Sequence, residues 1–141
     1  MQLVVFRIGT GEYALPIQRV QEIIRYREPR RVASGGAVRG VINLRGSIVP
    51  VCDLAHLAVA SASPPEDEKI VIIEADGVAA GLMVDGVNEV LSVEDDQVDR
   101  VATTREDVFP GIAKVADRLI VLIDPPGLLA DLGVAALAEA V

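Results

Sequence analysis

One segment decides the fold of this chain: Gly40-Val41-Ile42-Asn43-Leu44-Arg45-Gly46-Ser47-Ile48-Val49-Pro50-Val51-Cys52-Asp53-Leu54. It predicts a β-hairpin, because residues 41–44 and 48–51 are short runs rich in β-branched residues and the turn between them contains a glycine. Pro50 has no N–H group, so the returning strand is expected at a sheet edge or at a break in its ladder.

Two polar side chains are expected side by side at the end of the first strand. Strand side chains alternate between the two faces, so Asn43 and Arg45 point away from Ile42 and Leu44. The apolar face can enter a core, whereas the amide and the guanidinium stay where a partner can reach them. An ordinary tight turn with a solvated arginine is the alternative interpretation.

The composition predicts a cytoplasmic protein with a sizeable core. Hydrophobic residues make up 51% of the chain and aromatic residues only 3%, so aliphatic side chains must build that core. The formal net charge of −8 disfavours nucleic acid and anionic membrane surfaces as partners. The single cysteine fits a reducing compartment, and we see neither a secretory signal nor an apolar run near the ~20 residues of a spanning helix.

The chain also repeats itself. Residues 3–6 resemble residues 70–73, and Glu22 matches Glu89 at the same spacing, 67 positions later. This internal duplication of about five strands predicts an all-β fold with two related barrels. Strands of four to eight residues with frequent turns support the same fold class.

Residues 1–141 are expected to form a single domain with two lobes. The stretch 58–68, with Ser61-Ala62-Ser63-Pro64-Pro65 and an acidic cluster, is the predicted linker. Lobe one then covers approximately residues 1–60 and lobe two approximately residues 67–141. Asp124-Pro125-Pro126 predicts the start of a short C-terminal helix.

Comparing the two halves of the repeat also distinguishes residues that the fold requires from residues that the fold does not explain. The apolar strand positions recur in both halves, but Asn43, Arg45 and Gly46 do not. Their counterparts are Lys114, Ala116 and Asp117. Barrel geometry alone therefore does not require the polar residues of the first hairpin, which favours a binding role. Glu22, however, recurs as Glu89, so a solvated carboxylate remains an alternative for it.

Cys52 and His56 are the only pair in the sequence that suggests a thiol nucleophile with a base. They define the alternative function, a small β-barrel thiol hydrolase or ligand-binding domain. Cys52 matches the apolar Ile123, which favours a small core residue, and one cysteine with one histidine is too few for a structural zinc site. We therefore expect no catalytic residue, no metal and no cofactor.

The hairpin segment resembles the signature of the CheW family, the coupling proteins of bacterial chemotaxis. Val20-Gln21-Glu22-Ile23 and Val84-Asp85-Gly86-Val87 extend the resemblance over nearly the whole chain. It implies two five-stranded SH3-like β-barrel lobes. It also implies a non-enzymatic adaptor that couples chemoreceptors to the histidine kinase CheA in signalling arrays. The expected partners are the cytoplasmic tips of the receptors and the CheW-like regulatory domain of the kinase, without nucleic acid and without direct membrane contact.

The resemblance also implies where the partners bind. By motif position, the receptor-binding groove runs along Val20, Glu22, Asn43, Arg45, Ile70 and Gly81. Ile17 and Gly40 are the candidates for the kinase interface. Such an adaptor is cytoplasmic and is recruited to membrane-associated or cytoplasmic receptor arrays. The chain departs from the family at Ala55, where many relatives carry an arginine. It also departs in the short connection between Glu94 and Val108, which puts array contacts of that loop in doubt.

Overall fold

The computed structural model describes residues 1–32, 38–54, 67–100 and 106–133, which form mostly β-strands. The strands are β1 (Gln2–Ile8), β2 (Gly11–Pro16), β3 (Val20–Arg25), β4 (Val38–Leu44), β5 (Ser47–Asp53), β6 (Lys69–Ala75), β7 (Val78–Val84), β8 (Gly86–Ser92), β9 (Val98–Asp99), β10 (Gly111–Val115) and β11 (Arg118–Leu122). The predicted C-terminal helix is confirmed as α1 (Pro125–Leu132), and the Asp124 carboxylate caps it by accepting the Gly127 N–H at 3.0 Å.

The strands form two sheets, and each sheet combines strands from both halves of the sequence. The first sheet has the order β3-β6-β7-β5-β4, and the second sheet has the order β8-β1-β2-β11-β10-β9. The all-β prediction with two lobes and a short helix is confirmed. The lobe boundaries at residues 60 and 67 remain a prediction about the two halves of the sequence. In space, the hairpin β6–β7 lies inside the first sheet and the hairpin β1–β2 inside the second.

The exchange of hairpins is symmetrical. In the first sheet β5 pairs with β7 in parallel, and Val51 lies opposite Gly81. In the second sheet β11 pairs with β2 in parallel, and Leu122 lies opposite Ala14. These are matching positions of the internal repeat, so the duplication seen in the sequence is also a duplication of strand register.

One core lies between the sheets, and each sheet encloses a smaller one. The shared core combines Phe6, Ile8 and Leu15 of the second sheet with Val71, Ile73 and Leu82 of the first, and Leu128 of α1 completes it. The first sheet encloses Ile42, Val49, Val51, Ile70 and Ile72. The second encloses Leu3, Val5, Ala14, Val93, Ala113, Ile120 and Leu122. Because the shared core uses both sheets, neither sheet can bury its apolar face alone.

Several predicted features lie outside the described residues. These are Ala55, His56 and most of the predicted linker, residues 58–66. Of the connection between Glu94 and Val108, the described part contains a 3-10 helix at Asp95–Gln97 and then β9. Within the four described ranges, no helix reaches the length and hydrophobicity that a membrane span requires.

Candidate functional site

Arg45 and Glu22 form a bidentate ion pair on the surface of the first sheet. Nη2 of Arg45 donates to Oε2 of Glu22 at 2.7 Å, and Nη1 donates to Oε1. The Arg45 side chain is 73% exposed and that of Glu22 is 26% exposed. Arg45 lies in the β4–β5 turn and Glu22 lies in β3, so the pair connects the two edges of the first sheet.

The turn that carries Arg45 has an unusual backbone. Arg45 has φ +54° and Gly46 has φ +86°, as the tight turns of right-twisted hairpins require. The side chain of Asn43 supports the turn, because its Oδ1 accepts the Gly46 N–H at 2.8 Å. The segment is therefore a tight turn that holds an exposed guanidinium, and the binding role of its residues stays a prediction.

Each member of this ion pair stabilises the ionised form of the other. The hydrogen bond and the charge of Arg45 lower the pKa of Glu22, and the charge of Arg27 acts in the same direction. In return, the hydrogen bond to Glu22 raises the pKa of Arg45. Both groups therefore stay ionised at neutral pH.

The structure brings together only part of the predicted receptor groove on the surface. Glu22, Asn43 and Arg45 lie together. A β-bulge between Val20 and Glu22 turns Val20 to the opposite face of β3, where it is half-buried against the shared core. Ile70 is fully buried in the core of the first sheet. Gly81 lies against it, and a Cβ atom at Gly81 would come within 2.7 Å of Cγ2 of Ile70.

The two predicted kinase residues have different surroundings. Ile17 is half-buried and begins a 3-10 helix at Ile17–Arg19. Gly40 is buried in β4, where a Cβ atom would overlap the backbone carbonyl of Arg30. Arg30 and Val41 exchange two backbone hydrogen bonds of 2.8 Å, so the chain before β4 lies against its outer edge. Glycine within a strand was the available signal for this close approach.

Arg118 makes a contact in the second sheet that the sequence analysis missed. It donates to both oxygens of Glu12, from Nε at 3.0 Å and from Nη2 at 2.6 Å, and its Nη1 lies 2.7 Å from Oε1 of Glu89. Asn88 donates to the same Glu12 at 3.2 Å. The hydrogen bond from Arg118 lowers the pKa of Glu12 against the opposing effect of burial. The match between Glu22 and Glu89 was the one signal for it in the sequence.

Cys52 has the properties of a core residue. Its side chain is fully buried, and burial raises the pKa of the thiol to about 12. A thiol with that pKa carries almost no thiolate at neutral pH, and the thiolate is the form that attacks or binds metals. The part of the chain that the structure describes holds no cluster of three or more His, Cys, Asp or Glu side chains suited to a metal ion. The thiol alternative thus gains no support.

Comparisons with known proteins agree on one family. The family model described as "CheW-like domain" matches residues 2–133. The chain is 31% identical over 134 residues to the chemotaxis protein CheW of Klebsiella aerogenes, covering 91% of this chain and 81% of that protein. It is 29% identical over 134 residues to the chemotaxis protein CheW of Bacillus subtilis, covering 91% and 86%. The crystal structure of the scaffolding protein TtCheW from Thermoanaerobacter tengcongensis superposes with a TM-score of 0.78 at 32% identity, covering 87% of this chain and 83% of that one.

Proposed function

This chain belongs to the family of CheW-like domains and is a non-enzymatic chemotaxis adaptor, and we propose that it couples chemoreceptors to the histidine kinase CheA. The proposed partners are the cytoplasmic tips of the receptors and the CheW-like regulatory domain of the kinase. In this role the protein is cytoplasmic and joins receptor arrays through these partners. The relatives are a chemotaxis protein and a scaffolding protein, which supports the general role.

The exposed ion pair of Arg45 and Glu22 is the observation that carries the proposal. A guanidinium has five N–H donors, and Glu22 uses two of those on Arg45. The remaining donors face solvent on a side chain that the turn and the carboxylate already hold in place. A partner that accepts them loses little side-chain entropy on binding, and arginine is one of the residues enriched at binding hot spots.

We place receptor binding on Val20, Glu22, Asn43 and Arg45. Ile70 and Gly81 belong to the same proposed groove by motif position, but their burial means that they act through the shape of the first sheet. Gly81 in β7 and Ile70 in the neighbouring β6 are in close contact, and β6 pairs with the strand β3 that carries Glu22. The groove therefore has a polar rim that a partner can touch and an apolar floor that sets the position of that rim.

We place kinase binding near Ile17 and Gly40. Ile17 keeps part of its surface exposed and can contact a partner directly. Gly40 has no side chain and acts through the backbone, because it lets Arg30 lie against the outer edge of β4. A change at Gly40 would therefore move a whole segment of the surface and not a single contact.

Reconstitution with purified components tests the proposal. The kinase and a soluble receptor fragment from the same organism are mixed with and without this protein. We expect a ternary complex, and receptor control of kinase autophosphorylation, only when the protein is present. A kinase that assembles with the receptor and responds to it equally well without this protein would contradict the proposal. The Cys52→Ser protein serves as the control, since an adaptor does not need the thiol.

A further inference from the structure

A strongly basic surface lies beside the proposed groove in this acidic protein. We call residues 25–32 the arginine strap, because they include Arg25, Arg27, Arg30 and Arg31 against a single acid, Glu28. The whole chain has a formal net charge of −8, so this short stretch carries charge of the opposite sign to the rest of the protein. All four arginines are exposed.

The four arginines differ from most other basic residues in their lack of acidic partners. Several other cations are neutralised by ion pairs: Arg39 lies 2.9 Å from Asp53, Lys114 lies 2.6 Å from Asp99, and Arg118 binds two glutamates. Within the described residues, no strap guanidinium makes a hydrogen bond or an ion pair. Their full hydrogen-bonding capacity is therefore available to a partner.

The strap is held in one conformation. Pro29 is buried, and Arg30 exchanges two backbone hydrogen bonds of 2.8 Å with Val41. The missing side chain of Gly40 makes this approach possible. The counterpart of this contact in the second sheet is β9, where Asp99 lies opposite Ile112. Arg25 in β3 and Arg30 in this bridge are thus presented on a strand-like backbone, which lowers the entropy cost of binding.

Apolar side chains are exposed among the arginines. Ile23 is 40% exposed on the outer face of β3, Tyr26 is 36% exposed and Val32 is 37% exposed. A surface that binds only phosphate groups does not need exposed apolar side chains. Alternating cationic and apolar groups instead match a polypeptide that carries carboxylates and aliphatic or aromatic side chains together.

We propose that the arginine strap binds an acidic segment of a partner protein that also carries apolar side chains. The net charge of the rest of the molecule repels nucleic acid and anionic lipid, whereas a short peptide can approach the strap alone. The strap begins beside Glu22 and Arg45, because Arg27 acts electrostatically on Glu22. The strap is therefore a second contact surface next to the proposed groove.

Direct binding of model ligands tests this inference. The main probe is a labelled peptide of alternating glutamate and leucine, and the second is the same peptide with serine in place of leucine. We expect Arg30→Gln combined with Arg31→Gln to weaken binding of the glutamate–leucine peptide at least about fivefold, since exposed ion pairs contribute modestly. Arg100→Gln is the matched control, because Arg100 is exposed at the second sheet, and it should leave the affinity unchanged.

The apolar part of the inference has its own variant. Ile23→Ser should weaken binding of the leucine peptide and leave binding of the serine peptide unchanged. Three results would overturn the inference. The first is that Arg100→Gln weakens peptide binding as much as the strap variant does, and the second is that Ile23→Ser weakens binding of both peptides equally. The third is that phosphatidylserine vesicles or a single-stranded oligonucleotide bind more tightly than the glutamate–leucine peptide. Melting temperatures of all variants are measured alongside. Loss of peptide binding with intact binding of the receptor fragment separates the strap from the proposed receptor groove.

Discussion

Nη1 of Arg118 lies 2.7 Å from Oε1 of Glu89, and this ion pair repeats in the second sheet the one that Arg45 makes with Glu22 in the first. The glutamates occupy matching positions of the internal repeat, but the arginines do not, since the counterpart of Arg45 is Ala116. In the second sheet the arginine that pairs with glutamate is Arg118, which lies two residues after the counterpart of Arg45 in the hairpin.

This difference decides which arginine is available to a partner. Arg118 also binds Glu12 and is only 31% exposed, whereas Arg45 binds one carboxylate and is 73% exposed. Because a pair of this kind is present in both sheets, pairing with glutamate is part of the fold. Arg45 in the first sheet differs from Arg118 in its high exposure and in its unused hydrogen-bond donors.

Arg45→Ala should weaken partner recruitment without unfolding the protein. The truncation opens no cavity, and alanine is accommodated at the same backbone conformation in the second hairpin, where Ala116 has φ +55°. Loss of an arginine hot spot commonly weakens binding by roughly thirtyfold. Binding to the receptor fragment and the melting temperature are measured on one preparation, and only the binding should change.

Lys114→Ala is the matched control for that experiment. Lys114 is a hairpin residue of the second sheet with an exposed ion pair to Asp99, so its loss removes a comparable charge. We expect normal binding by this variant. If binding survives in Arg45→Ala, or if folding fails together with binding, Arg45 is not the partner contact.

Gly40→Ala should destabilise the protein by about 1–3 kcal/mol, the usual cost of overpacking. The new Cβ atom would overlap the carbonyl of Arg30 and displace the segment from the edge of β4. Urea unfolding measures the loss. Gly111→Ala is the graded control, because its Cβ atom would lie 2.9 Å from the carbonyl oxygen of Asp99 and should cost less. A fully stable Gly40→Ala protein with impaired kinase binding would instead indicate a direct kinase contact.

Gly81→Ala and Ile70→Ala should be energetically coupled. Gly81→Ala forces its Cβ atom against Cγ2 of Ile70, whereas Ile70→Ala leaves a cavity in the first sheet and costs about 2–5 kcal/mol. In the double variant the added methyl group occupies part of that cavity. We therefore expect the double variant to lose less stability than the sum of the single ones, by at least about 0.5 kcal/mol. Strict additivity in urea unfolding would show that the two residues do not share the contact.

The Glu12 carboxylate should make stability depend on pH. Its pKa lies below the ordinary value of 4.5 in the folded protein, so the ionised form stabilises the fold. This contribution is complete above about pH 4.5 and is lost as the pH falls through the lower, folded pKa. Glu12→Gln should therefore be less stable than the parent at pH 6, and this difference should shrink as the pH is lowered below 4.5.

Glu106→Gln provides the reference for the pH experiment, because Glu106 is an exposed carboxylate in the described part of the chain. Its unfolding curves should follow those of the parent protein at each pH. A constant difference between Glu12→Gln and the parent from pH 3 to pH 6 would show that Arg118 does not stabilise the ionised carboxylate.

The thiol of Cys52 should be inert in the folded protein. Its pKa of about 12 and its full burial leave almost no accessible thiolate at pH 8. A chromogenic disulfide reagent should react only after guanidinium unfolds the chain. Rapid labelling of the native protein would reopen the hypothesis of a reactive thiol.

The sequence predicted the repeated parts of the fold well because strand periodicity is a local property. Ile23 and Val90 illustrate this: they are matching positions, and both are exposed, at 40% and 54%. The exchange of hairpins between the sheets was not predictable in the same way. Each hairpin would bury the same faces in either sheet. The pattern of apolar residues is therefore the same with exchanged and with unexchanged hairpins, and it cannot distinguish the two arrangements.

The candidate site shows a similar limit. Asn43 and Arg45 were recognisable from the predicted hairpin. Simple alternation along β3 placed Glu22 on the face of Val20, but a bulge between the two residues puts them on opposite faces. The contact of Arg118 with Glu12 spans nearly the whole chain, and no local pattern indicates it. Ile70 and Gly81 were placed along the groove by motif position alone, whereas their burial depends on the partner strands that surround them.

The exchanged hairpins determine when the protein can fold during its synthesis. Tyr13 pairs with Val121, and Val51 pairs with Gly81, so neither sheet is complete when the first half of the chain leaves the ribosome. The early hairpin β1–β2 must wait, with exposed edges, until β11 has been translated. The first sheet has all of its strands once β7 has been translated, whereas the second sheet is completed only when β11 has been translated. Until that moment the nascent chain has open strands that can pair with other chains, and a chaperone that covers them would raise the yield of native protein.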